Sequence, residues 1–452
     1  MTWPDRPGRV DADERDRHEA ATPEVPRPAV AGSRAGRVLA LLIVCAGPSS
    51  HAGGRARAGG TLEAAAVVKS VHADPLLADT PLEATISQLT KLPPCRLGEL
   101  SRPSPRVVRL VIRASTTAGE LVKALQRVKD TPSPYRSLLA PMTSAAAIAS
   151  NVVEMELDGP APDFEAVLCH PVLAITPSFF ESMSDRLVAN ADPALPRAWL
   201  DGITIRATDA RTAERLVAQR KAQVLLGGES GEGALLYATY LVANPKLGPA
   251  FAQALEASVD RPGLTRFFVR PPARPLSTLI PPASEGGKKG SLSEVTWATP
   301  ARPAPLTTPV ELTLVYDATL EEHRAVAERL QVKLGPLGYR LKLEAVPRRQ
   351  LRERLTTNPD LALVGVLMPP LPLPALSIAL SLAKEPTRLL ELEALPDLAR
   401  SEAVVERASK PLPNLFPLFV QGLGVTAARD VQHLTRDAYG LPRLDDVFLA
   451  VE

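Results

Sequence analysis

The sequence predicts an α/β protein with more than one domain. Its 452 residues exceed the roughly 100–200 residues of a typical single domain. Strand-like and helix-like segments alternate along most of the chain, and 46 prolines supply frequent turns between them. The clearest run spans 311–367, where three strand patterns alternate with two amphipathic helix patterns. Strands joined through helices pair in parallel, so this run predicts a parallel sheet covered by helices.

Composition excludes several classes of function. Lys and Arg total 52 and Asp and Glu total 50, which leaves a net charge of +2 and no strong field for nucleic acid. Aromatic residues make up only 4% of the chain, too few for a base-stacking surface. The 3 cysteines cannot form a disulfide scaffold or a four-thiolate zinc site.

The N-terminal region has the pattern of an exported protein. Residues 1–37 are polar and lack an apolar period, which predicts a disordered extension. The segment 38–52 resembles a secretory signal: a basic flank precedes an apolar run, and small residues follow it. The apolar run is far shorter than the roughly 20 residues that span a bilayer. Two alternatives stay open, a buried turn of an N-terminal helix and a lipid-modified Cys45.

The body of the chain divides into further strands and helices by their periods. Apolar residues that alternate with polar ones predict strands, and apolar residues four positions apart predict helices. Thr116 or Thr117, and Asp209, can cap two of these helices. The predicted strands are 61–71, 106–113, 152–157, 202–207, 235–242, 311–316, 340–346, 361–367 and 416–427. The predicted helices are 81–92, 118–128, 210–220, 249–258, 320–334 and 348–355, with a long loop at 270–305.

No group of residues in the sequence specifies a catalyst, a metal site or a cofactor. Residues 228–232 (GESGE) lack the last glycine of the G-x-S-x-G nucleophile motif, and a glycine-rich loop is the simpler interpretation. The 6 histidines lie far apart. His170 beside Cys169 is either a ligand pair or a buried structural pair. Cys95 and Cys169 could form a disulfide in an oxidising compartment, but sequence does not give the distance between them.

Several segments, in the same order along the chain, resemble a known family. The family is the extracellular solute-binding proteins of family 5, the oligopeptide and dipeptide receptors of bacterial ABC importers. Each match is short, and their shared order carries the resemblance. The matching segments are 59–62 (GGTL) with 72–75 (HADP), 117–125 (TAGELVKAL), 160–164 (PAPDF), 200–206 (LDGITIR), 249–261 and 437–440 (DAYG).

The resemblance implies a fold and a function. The fold is the two-lobed periplasmic-binding-protein-like fold of type II, with mixed sheets flanked by helices and a cleft between the lobes. We expect lobe I at 59–235 plus 420–452 and lobe II at 236–419. The implied protein is a periplasmic monomer that is not an enzyme and has no cofactor. It binds a peptide or peptide-like solute and delivers it to an ABC permease in the inner membrane.

The resemblance also suggests ligand-binding residues. The family uses the backbone of the strand matched by 361–367, so Gly365, Val366 and Leu367 are candidates by position. The family's G-W-x-x-D motif begins at Gly365, but Val366 replaces its Trp and Pro369 its Asp, the partner of the peptide's ammonium group. A buried ammonium without a counter-charge is costly. The chain therefore suits a more apolar or amidated solute, or alternatively it is an envelope interaction protein without a small ligand.

Two tyrosines complete the set of candidate ligand-binding residues. Tyr237 and Tyr240 lie on the strand predicted to cross between the lobes. A tyrosine offers an apolar ring and a hydroxyl group, which suits the wall of a cleft. The alternative interpretation is that both pack within the sheet.

Overall fold

The computed structural model describes residues 56–57, 59–68, 74–114, 116–175, 178–183, 186–191, 198–229, 233–285, 291–297, 300–387 and 389–450. The predicted disordered extension (1–37), the signal segment (38–52) and Cys45 lie outside the described residues. Residues 230–232 of the glycine-rich loop lie outside them as well.

Three of the longer helices begin with side-chain caps, and two of these caps, at the second and fourth helices, are the predicted ones. Thr80 and Glu83 form a capping box at the first helix, and Thr117 and Glu120 form one at the second. Asp209 caps the fourth. The α-helices of the described chain are α1 (Pro81–Thr90), α2 (Ala118–Asp130), α3 (Phe164–Val167), α4 (Ala210–Ala218), α5 (Gly248–Ser258), α6 (Arg261–Phe268), α7 (Glu321–Leu334), α8 (Arg348–Thr356), α9 (Pro372–Ala383), α10 (Leu390–Glu393) and α11 (Asp397–Ser409).

The strands are short, as the many prolines lead one to expect. In the first half they are β1 (Ala56–Arg57), β2 (Thr61–Val67), β3 (Gly98–Ser104), β4 (Val107–Ile112), β5 (Met142–Ala149), β6 (Val152–Leu157), β7 (Phe180–Met183), β8 (Arg186–Ala189), β9 (Gly202–Thr208) and β10 (Val224–Leu226). In the second half they are β11 (Tyr237–Ala243), β12 (Ala273–Pro275), β13 (Val310–Asp317), β14 (Tyr339–Val346), β15 (Leu361–Leu367), β16 (Leu415–Gln421), β17 (Val425–Ala427), β18 (Val431–Gln432), β19 (Thr435–Arg436), β20 (Pro442–Arg443) and β21 (Phe448–Ala450).

These strands form three main sheets. The N-terminal sheet has the order β17-β10-β2-β9-β8-β7, and β10, β2 and β9 are parallel in it. The C-terminal sheet has the order β12-β16-β11-β15-β13-β14. The small sheet, β3-β4-β6-β5, is antiparallel. Mixed sheets covered by helices confirm the predicted α/β class.

The predicted run at 311–367 is confirmed element by element. It folds as β13–α7–β14–α8–β15, and β13 pairs in parallel with both β14 and β15. The prediction of one strand at 416–427 is wrong. Gly422 and Gly424 separate β16 from β17, and the chain passes there from the C-terminal sheet to the N-terminal sheet. Two short strands form because glycines interrupt the apolar run.

Apolar side chains cover the C-terminal sheet on both faces. On one face α5 and α7 pack against it through residues such as Phe251 and Leu330. On the other face one continuous apolar core joins β11 and β15 to α9, α2 and the small sheet. All seven residues of β15 are buried, which explains why its sequence is a continuous apolar run.

A disulfide joins Cys95 to Cys169, with the two Cα atoms 5.1 Å apart. The sequence left this pairing open. The bond links the segment just before β3 to the segment just after α3. It also makes Cys169 unavailable as a metal ligand, so the ligand-pair interpretation of Cys169 and His170 is wrong.

Candidate functional site

A cavity of about 620 Å³, here called the larger cavity, lies where the N-terminal and C-terminal sheets meet. On one side it is lined by Val67, Ala207 and Gly227, at the carboxyl ends of the parallel strands β2, β9 and β10. On the other side it is lined by Tyr237 and by residues 319–323. In α/β folds, ligands bind at the carboxyl ends of parallel strands, and a cavity of this size suits a small molecule.

Three helices begin at the larger cavity. Thr80, at the start of α1, and Asp209, at the start of α4, both line it and cap their own helices. The start of α7 lines it too, but the residue at its cap position is Leu320, and no side chain caps this helix. The amino end of a helix carries partial positive charge and amide donors. Glu321 and Glu322 in the first turn of α7 also line the cavity, so this end of α7 suits a neutral hydrogen-bond acceptor of a ligand.

Two buried polar side chains of the lining have no hydrogen-bond partner among the described residues. They are Tyr237, through its hydroxyl, and His323, through both ring nitrogens. Burial lowers the pKa of His323 to about 4, so at neutral pH its ring has one donor and one acceptor nitrogen. Burial raises the pKa of the Tyr237 hydroxyl well above its usual value. Both groups can therefore exchange hydrogen bonds with a neutral or an anionic partner.

The chain that crosses between the two sheets forms one wall of the larger cavity. Residues 421–424 line it, and the Gly424 carbonyl accepts a hydrogen bond of 2.8 Å from the Gly227 amide. Gly227 has a φ of 84°, a left-handed conformation in which a side chain would be strained. A glycine at 227 therefore lets β10 end in contact with the crossing segment.

The structure places Gly365, Val366 and Leu367 in the interior of the C-terminal sheet. They lie at the end of β15 and pair with Thr239, Ala238 and Tyr237 of β11. Gly365 allows Tyr237 to lie where it does, because a Cβ atom at 365 would meet the Tyr237 hydroxyl at 1.9 Å. These pairings bring Gly365 next to one lining residue of the larger cavity.

Tyr240 lies elsewhere. Its side chain is fully buried, and its hydroxyl donates a hydrogen bond of 2.8 Å to the Leu279 carbonyl. This geometry matches the packing interpretation of Tyr240, whereas Tyr237 lines the larger cavity.

Within the described chain, no further strand pairs with the outer edge of β15 beyond Leu363, since β13 pairs with it only from Leu361 to Leu363. Side chains occupy this edge at Leu367 instead. Its amide donates to the Tyr135 hydroxyl at 2.8 Å, and its carbonyl accepts from Nε2 of His170 at 3.0 Å. A peptide could therefore not pair with Leu367 in this conformation.

Gly365 faces the same edge as Leu367, because antiparallel pairing alternates the direction of successive backbone groups. A small cavity of about 10 Å³ lies there, lined by Gly365, Tyr237 and His323 among others. That volume corresponds to about one water molecule. The strand edge is thus closed to an extended peptide along its free length.

A buried charge cluster fills the space next to this edge. It consists of Arg348 and Arg352 of α8 with Asp79, Glu83 and Asp317, and all five side chains are at most 8% exposed. Arg348 reaches Glu83 at 2.5 Å and Asp317 at 2.6 Å. Arg352 donates to Asp79 and lies over the Tyr135 ring. The cluster joins the start of α1 to the C-terminal sheet.

Mutual attraction favours the charged forms of Arg348 and Asp317 in this cluster. Burial opposes the charge of Arg348, but Asp79, Glu83 and Asp317 raise its pKa further above its usual value. Burial likewise opposes the charge of Asp317, but Arg348 and hydrogen bonds from Thr319 hold the pKa of that carboxyl below its usual range. Paired and hydrogen-bonded charges of this kind are costly to separate.

Of the residues that the sequence suggests for ligand binding, Tyr237 lines the larger cavity and the other four do not. The other lining residues, which the sequence did not suggest, lie at 67–68, 80–82, 207–211, 227, 270–271, 319–323 and 421–424. The rule for carboxyl ends of parallel strands would have selected 207–211, which follow a predicted strand and include a predicted cap. No group of three or more His, Cys, Asp or Glu side chains in the described chain could hold a metal ion. Among the same residues, none of the helices is long and apolar enough to span a bilayer.

No protein-family model and no curated protein sequence matches this chain. Solved structures do. The periplasmic binding protein DppA from Helicobacter pylori, in complex with the peptide STSA, has a TM-score of 0.67 at 15% identity, over 87% of this chain and 99% of DppA. The murein tripeptide binding protein MppA of Escherichia coli has a TM-score of 0.69 at 13% identity, over 88% and 100%. AgaA from A. tumefaciens R10, in complex with agropinic acid, has a TM-score of 0.65 at 14% identity, over 85% and 98%.

Proposed function

We propose that this chain, which has the fold of the family 5 solute-binding proteins, is the exported substrate-binding protein of an ABC importer. It holds a peptide or peptide-like solute in the larger cavity and presents it, as a monomer, to a permease in the inner membrane. It does not transform the solute. The division into lobe I (59–235 plus 420–452) and lobe II (236–419), which meet at this cavity, is part of the proposal.

The larger cavity is the observation that supports this function most. Residues of both sheets line it, so a bound solute would contact both proposed lobes and favour the closed arrangement. Tyr237 and His323 supply buried polar atoms that lack partners in the described chain, and the uncapped start of α7 supplies amide donors. A few convergent polar groups in a partly apolar cavity are typical of a binding site for a small molecule.

The solute that fits is compact. Tyr135 and His170 occupy the outer edge of β15, and the buried charge cluster lies beside it, so an extended peptide cannot lie along Gly365–Leu367. Pro369 stands where the family has its ammonium-binding Asp, which disfavours a free peptide amino group at that place. In this proposal Tyr237 contacts the solute directly. Gly365, Val366 and Leu367 act by supporting Tyr237, and Tyr240 supports the sheet.

Export is supported by two independent features. The segment 38–52 has the pattern of a secretory signal, and the Cys95–Cys169 disulfide is of the kind that persists in oxidising compartments. The likeness to periplasmic binding proteins agrees with this placement. The alternative function, an envelope interaction protein without a small ligand, gains no support from the comparisons.

Thermal-shift screening of the purified full chain tests the function. The library contains dipeptides and tripeptides, their N-acetylated and amidated forms, and compact opine-like acids. A ligand at one hundred times its Kd stabilises the folded state by about 2.7 kcal/mol, which is easily measured. We expect blocked or compact compounds to stabilise the chain more than extended free peptides do.

A cavity-filling variant makes the test specific. Ala207→Trp places an indole at the exposed wall of the larger cavity, and we expect it to abolish the ligand-induced shift. Ala146→Trp, at an exposed position of the small sheet, is the matched control and should keep the full shift. If a ligand raises the unfolding temperature of both variants equally, then the larger cavity is not its binding site. A folded chain that no compound stabilises would count against solute binding.

A further inference from the structure

A second cavity shares Arg352 with the buried charge cluster. Its volume is about 460 Å³, and it is here called the basic cavity. One wall is formed by Lys129, near the end of α2, and by residues 132–140 after it. The other wall is formed by the end of α8 and by residues 381–387, around the end of α9. The larger and basic cavities have no lining residue in common.

The charged lining of the basic cavity is strongly unbalanced. Four cationic side chains contribute to it, and Glu385 is its one carboxylate. The cations are Lys129, Arg136, Arg352 and Lys384. A concave surface that gathers one sign of charge concentrates ions of the opposite sign, since its low-dielectric walls focus the field.

These cations keep much of their hydrogen-bonding capacity. Lys129 donates to the carbonyls of Met142 and Thr143, which are neutral, and Lys384 donates to the neutral amide oxygen of Asn358. The side chain of Arg136 has no hydrogen bond or ion pair with another described residue, and its backbone amide donates to the Ser133 carbonyl. Burial lowers the pKa of Lys384, as expected for an ammonium group without a carboxylate partner. Nearby protein groups therefore do not neutralise Lys129, Arg136 or Lys384.

Arg352 is the buried residue of the basic cavity. Its side chain is 7% exposed, and one arm of the guanidinium donates to Asp79. The other arm, Nη1, has no acceptor among the described residues. A buried donor on a charged group is costly when it lacks a partner, so an acceptor from outside the protein would stabilise this arrangement.

We propose that the basic cavity is a binding site for a small oxyanion with two or more negative charges, such as a phosphate compound or a polycarboxylate. Arg352 supplies a buried donor, and Lys129, Arg136 and Lys384 surround the anion with positive charge. Guanidinium groups bind phosphate and carboxylate oxygens through paired hydrogen bonds. The site is independent of the solute site in the larger cavity.

Isothermal titration calorimetry of the full chain with pyrophosphate and, separately, citrate tests this assignment. We expect saturable binding of at least one anion that weakens as NaCl is raised, because salt screens the attraction. Arg136→Gln and Lys384→Gln should each weaken binding at least threefold, and the double variant at least tenfold. These residues are exposed, so the variants should fold normally.

Matched controls separate the basic cavity from other cationic surfaces. Arg349→Gln removes an exposed arginine from the same helix as Arg352, and Arg211→Gln removes one from the larger cavity. Both should bind the anion with unchanged affinity. Binding lost in Arg211→Gln but retained in the Arg136 and Lys384 variants would overturn the assignment, as would the absence of saturable binding. Failure here would leave the proposed solute function untouched, because the solute screen uses a different cavity.

Discussion

The C-terminal sheet meets the rest of the molecule along two boundaries that differ in how they are filled. Toward the N-terminal sheet, the boundary contains the larger cavity, with unpartnered polar atoms on Tyr237 and His323. Toward α1 and the small sheet, apolar side chains, Tyr135, His170 and the buried charge cluster fill the boundary. The open boundary can accept a ligand, whereas the filled one fixes the segments that frame it.

The difference bears on which parts could move. A continuous apolar core with buried ion pairs is costly to open, while a boundary with a cavity exposes little new apolar surface when it opens. We therefore expect closure around a solute to take place at the larger cavity, and we expect the small sheet, which the proposed division counts in lobe I, to keep its contact with the C-terminal sheet during closure. The crossing segment at 421–424, with its two glycines, lies where such a motion would turn.

Of the changes considered, removal of Arg348 from the filled boundary should lower the free energy of unfolding most. Arg348→Met leaves Glu83 and Asp317 buried without their main partner. We expect a loss of about 3–5 kcal/mol in the free energy of unfolding. Urea unfolding followed by circular dichroism measures it. The control is Arg349→Met, whose arginine is 83% exposed and should contribute less than about 0.5 kcal/mol. Equal stability of the two variants would mean that the cluster does not hold the boundary.

The disulfide sharpens the same comparison, because Cys169 precedes His170, which occupies the edge of β15. Replacing Cys95 and Cys169 by Ser releases a link between positions 74 residues apart. We expect the free energy of unfolding to fall by about 2–5 kcal/mol, mainly because the unfolded chain without the disulfide can adopt more conformations. A reducing agent should lower the stability of the parent chain to that of the double variant and leave the variant unchanged. A parent chain insensitive to reduction would contradict the pairing.

Acid should weaken the folded state through its buried histidines. Burial lowers the pKa of both His170 and His323 to about 4, against about 6.5 in an unfolded chain. Between these values the unfolded state binds protons that the folded state does not, so stability falls as pH drops from 6.5 to 4. Each histidine can account for up to about 3 kcal/mol. His323→Met should remove part of this loss and leave stability at pH 7 little changed.

The control for the acid effect is His433→Gln, since His433 is exposed on a different part of the chain. It should keep the slope of the parent chain between pH 6.5 and 4. If His323→Met has the same slope as well, then His323 is not held neutral by burial. Comparison of the two variants at each pH, by urea unfolding, separates the contribution of His323 from that of the carboxylates.

Much of the fold was predictable because it depends on local patterns. The period of residues 311–367 predicted the order β13–α7–β14–α8–β15, and Thr116 or Thr117 as a cap predicted the start of α2 at Ala118. The filled boundary was not predictable. Arg348 lies 265 positions from Glu83, and Leu367 lies 232 positions from Tyr135. Contacts between residues so far apart in the sequence leave no pattern in the neighbouring residues. From the sequence alone, Arg348 is therefore interpreted as a solvated charge and Tyr135 as a packing residue. Part of the larger cavity was predictable, because the carboxyl ends of strands can be located from the sequence. The position of the start of α7 opposite those strand ends cannot be located in this way.

Two tyrosines next to β15 allow the comparison with the smallest expected effects. The Tyr135 hydroxyl has a hydrogen-bond partner, whereas the Tyr237 hydroxyl has none among the described residues. The Tyr135 hydroxyl accepts from the Leu367 amide in the filled boundary. Tyr135→Phe leaves that amide buried and unpaired, which we expect to cost about 1–3 kcal/mol. The Tyr237 hydroxyl has no partner among the described residues, so Tyr237→Phe should change stability by less than about 0.5 kcal/mol.

Ligand binding should reverse the ranking of these two variants. Tyr237→Phe should weaken any solute found in the larger cavity, since Tyr237 lines it, while Tyr135→Phe should leave that affinity unchanged. The two free energies of unfolding and the two dissociation constants together form one four-way comparison. If Tyr237→Phe loses as much stability as Tyr135→Phe, then the Tyr237 hydroxyl has a hydrogen-bond partner in the folded protein. The polar atoms of the larger cavity would then belong to the fold and would not be available to a solute.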